Sequence, residues 1–221
     1  MEKVQLGVLG LGSRTTSYYL SELNALYNNK KGGYSTCPLL LYNVDFNSIN
    51  ALLPNASSEL DLVTQDYLKR MDAFQCQNII IPNITLHETV DRLKINANIL
   101  HPIHLTIAKL KVLKCTKIVL FGSLFSMQSK YITSHFKSHG IEVVLPSESD
   151  MNFIDTVRIQ VYNQTETTEV IKKYHLLINK YSAKYPVVLG CTELSILKPL
   201  NTKDLIDMAQ LQIEAAVFSM Q

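Results

Sequence analysis

The sequence predicts an α/β protein of two pseudo-symmetric lobes, each a parallel sheet flanked by helices, with a cleft between the lobes. Short runs rich in valine, isoleucine and leucine alternate with segments of helical periodicity, and parallel strands need helical crossovers. Two pairs of segments also repeat along the chain at similar offsets. The 221 residues suffice for two lobes of about a hundred residues, each with its own core.

The strands are predicted from apolar runs that are too short for helices. These runs are residues 4–9, 39–44, 79–81, 118–121, 141–145 and 186–189. Apolar residues at helix-face spacing mark the intervening segments. The predicted helices are residues 17–27, 60–74, 104–113, 126–139, 152–164, 167–181 and 205–220. Gly140 is expected to terminate the helix that precedes it.

Two internal repeats support the division into lobes. Residues 3–7 (KVQLG) resemble residues 117–121 (KIVLF), and residues 80–85 (IIPNIT) resemble residues 188–193 (VLGCTE). The predicted N-terminal lobe is residues 1–101 plus about 206–221, and the C-terminal lobe is residues 102–205.

Composition excludes several classes of protein. The formal net charge of +2 comes from scattered basic residues, so no nucleic-acid partner is expected. No apolar run approaches the roughly 20 residues of a membrane span, and the N-terminus lacks a signal-peptide layout. The four cysteines are widely spaced without a CxxC pair. These features predict a cytoplasmic protein with reduced thiols, no metal site and no membrane partner.

The turns after the predicted strands are where ligands are expected, because open parallel sheets bind ligands beyond the carboxyl ends of their strands. The turn at residues 10–16 lacks the third glycine and the acidic residue of a dinucleotide site, and it lacks the P-loop lysine. We expect instead that the hydroxyls of Ser13, Thr15 and Thr16 hold a small carboxylate, with Arg14 adding charge.

Cys191 is the most specific chemical signal. It follows Gly190 at the tip of a buried strand, and a helix that begins behind it would supply amides that lower the pKa of the thiol. The alternative is an inert buried cysteine, which is the expected state of Cys37, Cys76 and Cys115. The adjacent Thr192 and Glu193 favour the reactive interpretation.

The turn at residues 82–87 (PNITLH) is the counterpart in the other lobe. Thr85 and His87 could contact a ligand. Alternatively, Asn83 and Thr85 cap the next helix and His87 lies on its surface. Both interpretations remain open on the sequence alone.

These residues together resemble the aspartate/glutamate racemase family, the cofactor-independent amino-acid racemases. The segment LGCTEL at 189–194 is similar to the family's second catalytic cysteine motif. Residues 120–127, including Ser123, resemble its glycine–threonine turn, residues 40–46 its second strand, and Asp207 with residues 214–217 its C-terminal helix. The resemblance implies two lobes with the active site between them, and two thiols on opposite faces of an α-carbon.

The chain departs from that pattern at the first cysteine, where Asn83 stands, while Thr85 and His87 are kept. Gln212 also stands where the family usually has a histidine. Because an amide cannot carry protons at neutral pH, a symmetric two-thiol reaction is not expected.

The resemblance therefore implies a racemase-like isomerase acting through Cys191 on aspartate, glutamate or a related small carboxylate. A single-cysteine decarboxylase-like lyase and a catalytically silent carboxylate-binding protein are the alternatives. Catalytic positions are Cys191, Asn83 and His87. The substrate-binding candidates are Ser13, Arg14, Thr16, Thr85, Ser123, Thr192 and Glu193. No cofactor is implied, and a homodimer is the expectation because related proteins are often dimers.

Overall fold

The structure, a computed structural model, describes residues 4–200 and 202–220. Lys3, with which the first predicted repeat begins, therefore lies outside the described residues. The chain divides into two compact units, Met1–His101 with Gln212–Gln221, and Pro102–Leu211. None of the described helices is both long enough and apolar enough to cross a lipid bilayer.

The first unit contains a four-stranded parallel sheet in the order β2-β1-β3-β4. Its strands are β1 (Leu6–Gly10), β2 (Leu40–Asn43), β3 (Asn78–Ile80) and β4 (Asn98–Ile99). Its helices are α1 (Ser13–Lys31), α2 (Asn47–Asn50), α3 (Ser58–Ala73) and α4 (His87–Val90). Strand β1 is buried along its whole length, as a central strand covered on both faces must be.

The second unit repeats this arrangement, with sheet order β6-β5-β7-β8. Its strands are β5 (Lys117–Phe121), β6 (Glu142–Val144), β7 (Val187–Leu189) and β8 (Leu205–Asp207). The helices are α5 (Pro102–Val112), α6 (Leu124–Gln128), α7 (Lys130–Ser138), α8 (Glu148–Asn163), α9 (Thr168–Ser182) and α10 (Thr192–Ile196). Helix α11 (Met208–Ser219) completes the described chain.

The end of α7 shows how local sequence sets these boundaries. Gly140 has a φ of +75°, a conformation that glycine adopts without the penalty of a Cβ. This lets the Gly140 and Ile141 amides donate to the carbonyls of Lys137 and Phe136, both at 3.0 Å. The two bonds form a Schellman motif, as the position of Gly140 predicts.

The structure corrects two of the predicted helices. Residues 205–207, predicted as helix, form strand β8 because they pair in register with β7. The helix predicted at 126–139 is two helices, because Ser129 ends α6 and its hydroxyl caps α7 by accepting from the Ile132 amide.

Gln212 is buried in the first unit and joins three of its segments. Its Oε1 accepts a hydrogen bond from the Tyr19 hydroxyl of α1 at 2.5 Å. Its Nε2 donates to the Leu100 carbonyl after β4 at 2.7 Å. Gln212 is therefore a structural link between α1, α11 and the end of the first sheet.

Candidate functional site

Cys191 lies at the carboxyl end of β7 and is itself the N-cap residue of α10. The Gly190 amide donates to the Phe121 carbonyl at 2.7 Å, which extends the β5–β7 pairing to the residue before the thiol. At the corresponding position of the first unit stands Pro82, which has no amide hydrogen to continue such a ladder. The thiol is thus fixed at the tip of a hydrogen-bonded strand.

The Cys191 thiol donates a hydrogen bond to Glu193 Oε2 at 2.8 Å. Burial of the thiol, followed by the negative charge and hydrogen bond of Glu193, holds its pKa well above the ordinary value. The Glu193 amide acts in the opposite direction. The backbone amide thus acts in the expected direction, but the expected net lowering of the thiol pKa is wrong, because burial and a carboxylate outweigh the amide. These surroundings favour the protonated thiol over the thiolate.

Arg158 on α8 is a charged neighbour that sequence reasoning missed. Its positive charge lowers the pKa of Cys191. Burial acts to lower the pKa of Arg158 itself, but the hydrogen bond to Asp155 and the negative charges of Cys191, Asp155 and Glu193 outweigh burial and raise it. Arg158 Nε donates to Asp155 Oδ1 at 2.8 Å, and the same oxygen accepts the Leu124 amide at 3.1 Å. The only sequence signal was the spacing of Asp155 and Arg158 on one helix face.

The turn after β5 lies beside the Cys191 turn because β5 and β7 are adjacent strands. Ser123 caps α6 by accepting from the Ser126 amide at 3.1 Å, and the two hydroxyls are 2.8 Å apart. A Cβ on Gly122 would lie 3.1 Å from the Ser126 Cβ and 3.8 Å from the Gly190 carbonyl oxygen. Hydroxyls, thiol and carboxylate therefore share one edge of the second sheet.

In the first unit, the Asn83 side chain caps the turn at residues 83–86. Its Oδ1 accepts from the Leu86 amide at 3.0 Å, and its carbonyl is 2.8 Å from His87 Nδ1. His87 is fully buried, so the alternative that placed it on the surface is wrong. Its ring packs edge to face against His101 at 4.6 Å between centroids. Thr85 is partly buried in the same turn.

Ser13, Arg14 and Thr16 lie in the first turn of α1, which begins directly after the turn at Gly12. The Thr16 side chain is buried, and its hydroxyl makes no hydrogen bond with the described residues. The first turn of the helix also carries no acidic residue and no side-chain cap. This end of α1 therefore has the polarity that favours an anion.

The predicted site residues thus form two groups, one at the carboxyl edge of each sheet. Cys191, Thr192, Glu193 and Ser123 belong to the second unit, while Ser13, Arg14, Thr16, Asn83, Thr85 and His87 belong to the first. Among residues 4–200 and 202–220, no cluster of three or more His, Cys, Asp or Glu side chains could hold a metal ion.

A comparison with models of protein families identifies the family of this chain. The Asp/Glu/hydantoin racemase family model matches residues 8–216. The chain belongs to the Asp/Glu/hydantoin racemase family. Cys191 and its Glu193 partner lie inside the matched region.

Solved structures of similar fold include three that are described as Asp/Glu racemases or their homologues. A protein from Yersinia pestis, described as a candidate Asp/Glu racemase, has a TM-score of 0.85 at 21% identity and full coverage of both chains. An aspartate racemase homologue from Pyrococcus horikoshii has a TM-score of 0.82 at 17% identity, covering 98% of each chain. Aspartate racemase from Picrophilus torridus has a TM-score of 0.78 at 20% identity, with 99% of this chain and 94% of that one covered. At these identities the similarity establishes the fold.

Proposed function

We propose that the protein is a racemase-like isomerase that transfers the α-proton of aspartate, glutamate or a related small carboxylate through Cys191, without a cofactor. Membership of the racemase family supports the reaction type. The contact of 2.8 Å between the Cys191 thiol and the Glu193 carboxylate carries the mechanism, because it pairs a proton donor with a proton acceptor at a strand tip.

The reaction begins with ionisation of the thiol. The Glu193 carboxylate takes the proton of the Cys191 Sγ–H bond, which leaves a thiolate and a neutral carboxylic acid. The thiolate then takes the α-proton and leaves a carbanion, and the same thiol can return a proton to that carbon. Arg158 favours the ionised thiol, since its charge acts against the raised pKa.

The substrate's own charges require neutral and cationic partners. We assign its carboxylate to the hydroxyl donors beside Cys191 in the second unit, Ser123 and Thr192. In the first unit, Ser13, Thr16 and Thr85, with the positive charge of Arg14, form a separate candidate set of carboxylate-binding residues. These side chains are short, which suits a small ligand whose carboxylate is held by several neutral donors.

Asn83 gives the proposed reaction its one-sided character. An amide neither gives nor takes a proton at neutral pH, and Asn83 Oδ1 already accepts the Leu86 amide. Proton return from the opposite face would have to come from water or His87. We therefore expect exchange of the α-proton with retention to be faster than inversion.

A second candidate, a single-cysteine decarboxylase-like lyase, is favoured by one observation. The Cys191 thiol carries the proton that it donates to Glu193 at 2.8 Å, and its raised pKa favours that form, which suits delivery of a proton to a carbanion that loss of carbon dioxide has already formed. In that reaction the C–C bond supplies the electron pair and the thiol supplies the proton.

The experiment separates these functions with one protein preparation. The protein is incubated in deuterated water with L- and D-aspartate and glutamate, and deuterium at the α-carbon is followed by NMR and chiral chromatography. A parallel incubation with a substituted malonate follows release of carbon dioxide. Exchange supports the isomerase, carbon dioxide release without exchange replaces it with the lyase, and binding without either leaves a silent carboxylate-binding protein.

A further inference from the structure

Helix α10 carries the proposed catalytic cysteine but cannot hold its own position. It has five residues, Thr192–Ile196, and so short a helix is not stable without external contacts. Its N-cap residue is Cys191, which provides no capping side-chain hydrogen bond. Any shift of α10 therefore moves the thiol and the Glu193 carboxylate with it.

Side chains from two other elements of the second unit hold α10. The Tyr174 hydroxyl of α9 donates to the Leu194 carbonyl at 3.2 Å, and His175 Nε2 lies 2.7 Å from the Leu197 carbonyl. The Ser195 hydroxyl lies 3.3 Å from the Cys191 carbonyl oxygen and donates to Asp207 Oδ1 at 2.7 Å. That last bond joins α10 to strand β8.

Asp207 is a buried carboxylate with three donors. Besides Ser195, it accepts the Ala209 amide at 3.0 Å and Lys198 Nζ at 2.7 Å. Asp207 is 7% exposed and Ser195 is 1% exposed, so their bond is shielded from water and geometrically fixed. Asp207 is also paired in register with Leu189, two residues before the thiol.

We propose that Asp207 is a positioning residue for Cys191, acting through the Ser195 hydroxyl and helix α10. The inference rests on the proposed function, because it assigns Asp207 to the thiol that would carry the proton. Asp207 joins the strand beside β7 to the helix that follows Cys191. Its pairing with β7 and its bond to Ser195 hold the two ends of the turn between β7 and α10. Asp207 makes no hydrogen bond with the thiol or with Glu193, so it acts by fixing the position of the thiol.

The test removes one hydroxyl. Ser195→Ala is expected to lower the rate of α-deuterium exchange about ten- to hundredfold, the loss that a displacement near 1 Å can cause, while substrate affinity changes less than about twofold. Ser195→Thr, which restores a hydroxyl, should recover most of the rate. The matched control is Ser134→Ala on α7, whose hydroxyl bonds to the Tyr131 carbonyl at 2.9 Å on the exposed surface.

Two further variants test whether Ser195 and Asp207 act as one unit. Asp207→Asn keeps an oxygen acceptor and should lose less rate than Ser195→Ala. The double variant should be no slower than Ser195→Ala within about twofold, because residues in one hydrogen-bonded pair are not additive. Additive losses would overturn the assignment, as would a Ser195→Ala protein that exchanges at the wild-type rate.

A second readout does not depend on the proposed function. The rate at which iodoacetamide modifies Cys191 is followed against pH by mass spectrometry. Ser195→Ala should modify faster, with its midpoint at lower pH, because a loosened α10 exposes to water a thiol whose pKa is raised mainly by burial. An unchanged profile in Ser195→Ala would overturn the positioning role even if the wild type proves inactive in exchange.

Discussion

Gln212 offers the sharpest stability prediction because its two hydrogen bonds are both buried. Replacing Gln212 with methionine keeps the side-chain volume but removes the bond from Tyr19 at 2.5 Å and the bond to Leu100 at 2.7 Å. Each lost bond costs about 1–2 kcal/mol when a buried partner remains. The expected loss in free energy of unfolding is therefore about 2–4 kcal/mol. At about 2–4 °C per kcal/mol for a chain of this size, the melting temperature should fall on the order of 10 °C.

The assay is urea unfolding followed by circular dichroism, together with amide hydrogen exchange in α1 and α11. The matched control is Gln77→Met, an exposed glutamine of the same unit, which should change the free energy by less than about 0.5 kcal/mol. If Gln212→Met were as stable as that control, or if exchange in α1 and α11 were unchanged, the structural role of Gln212 would be refuted.

Three further predictions concern charge and titration. Glu193→Gln removes a negative charge that raises the pKa of Cys191, so iodoacetamide should modify Cys191 several-fold faster at pH 8, and an equal rate would contradict the contact. Burial raises the pKa of Cys37 from 9.0 to about 11. Its neutral thiol therefore stabilises the fold fully below about pH 9, and this contribution is lost as the pH rises towards 11. In urea titrations, Cys37→Ala should show a smaller fall in the free energy of unfolding over this pH range than the wild type. Lys30 Nζ donates to the Val217 and Met220 carbonyls at 3.0 and 2.9 Å, so Lys30→Met should cost about 1–2 kcal/mol of unfolding free energy, whereas an unchanged midpoint would show that these bonds do not stabilise α11.

The sequence predicts the α/β fold because buried parallel strands are short runs of valine, isoleucine and leucine, a composition that the helices on either side do not share. The run of apolar residues in β5 and the isolated glycine after α7 each have one local interpretation. Strands β4 and β8 escape prediction, the first because it is only two residues long. Strand β8 is defined by its pairing with β7, a tertiary contact that local periodicity does not contain.

The candidate site is predictable only where its partners are close in sequence. Cys191 and Glu193 are two residues apart, so their contact could be anticipated, although the direction of the thiol pKa depends on burial, which the sequence does not give. Arg158 and Asp207 lie on other elements, and nothing in the sequence shows that they reach the Cys191 region. His87 has the residue type of a ligand contact, but its burial against His101 required the fold.

The most direct test of the central claim is deuterium uptake at the α-carbon of aspartate and glutamate by wild type, Cys191→Ala and Cys115→Ala in deuterated water. Cys115 is the matched control, since it is another free cysteine in the same unit. Uptake with wild type and Cys115→Ala that disappears with Cys191→Ala is the predicted result. Uptake that persists in Cys191→Ala would show that another group carries the proton, and absence of uptake in wild type would contradict α-proton transfer from these amino acids.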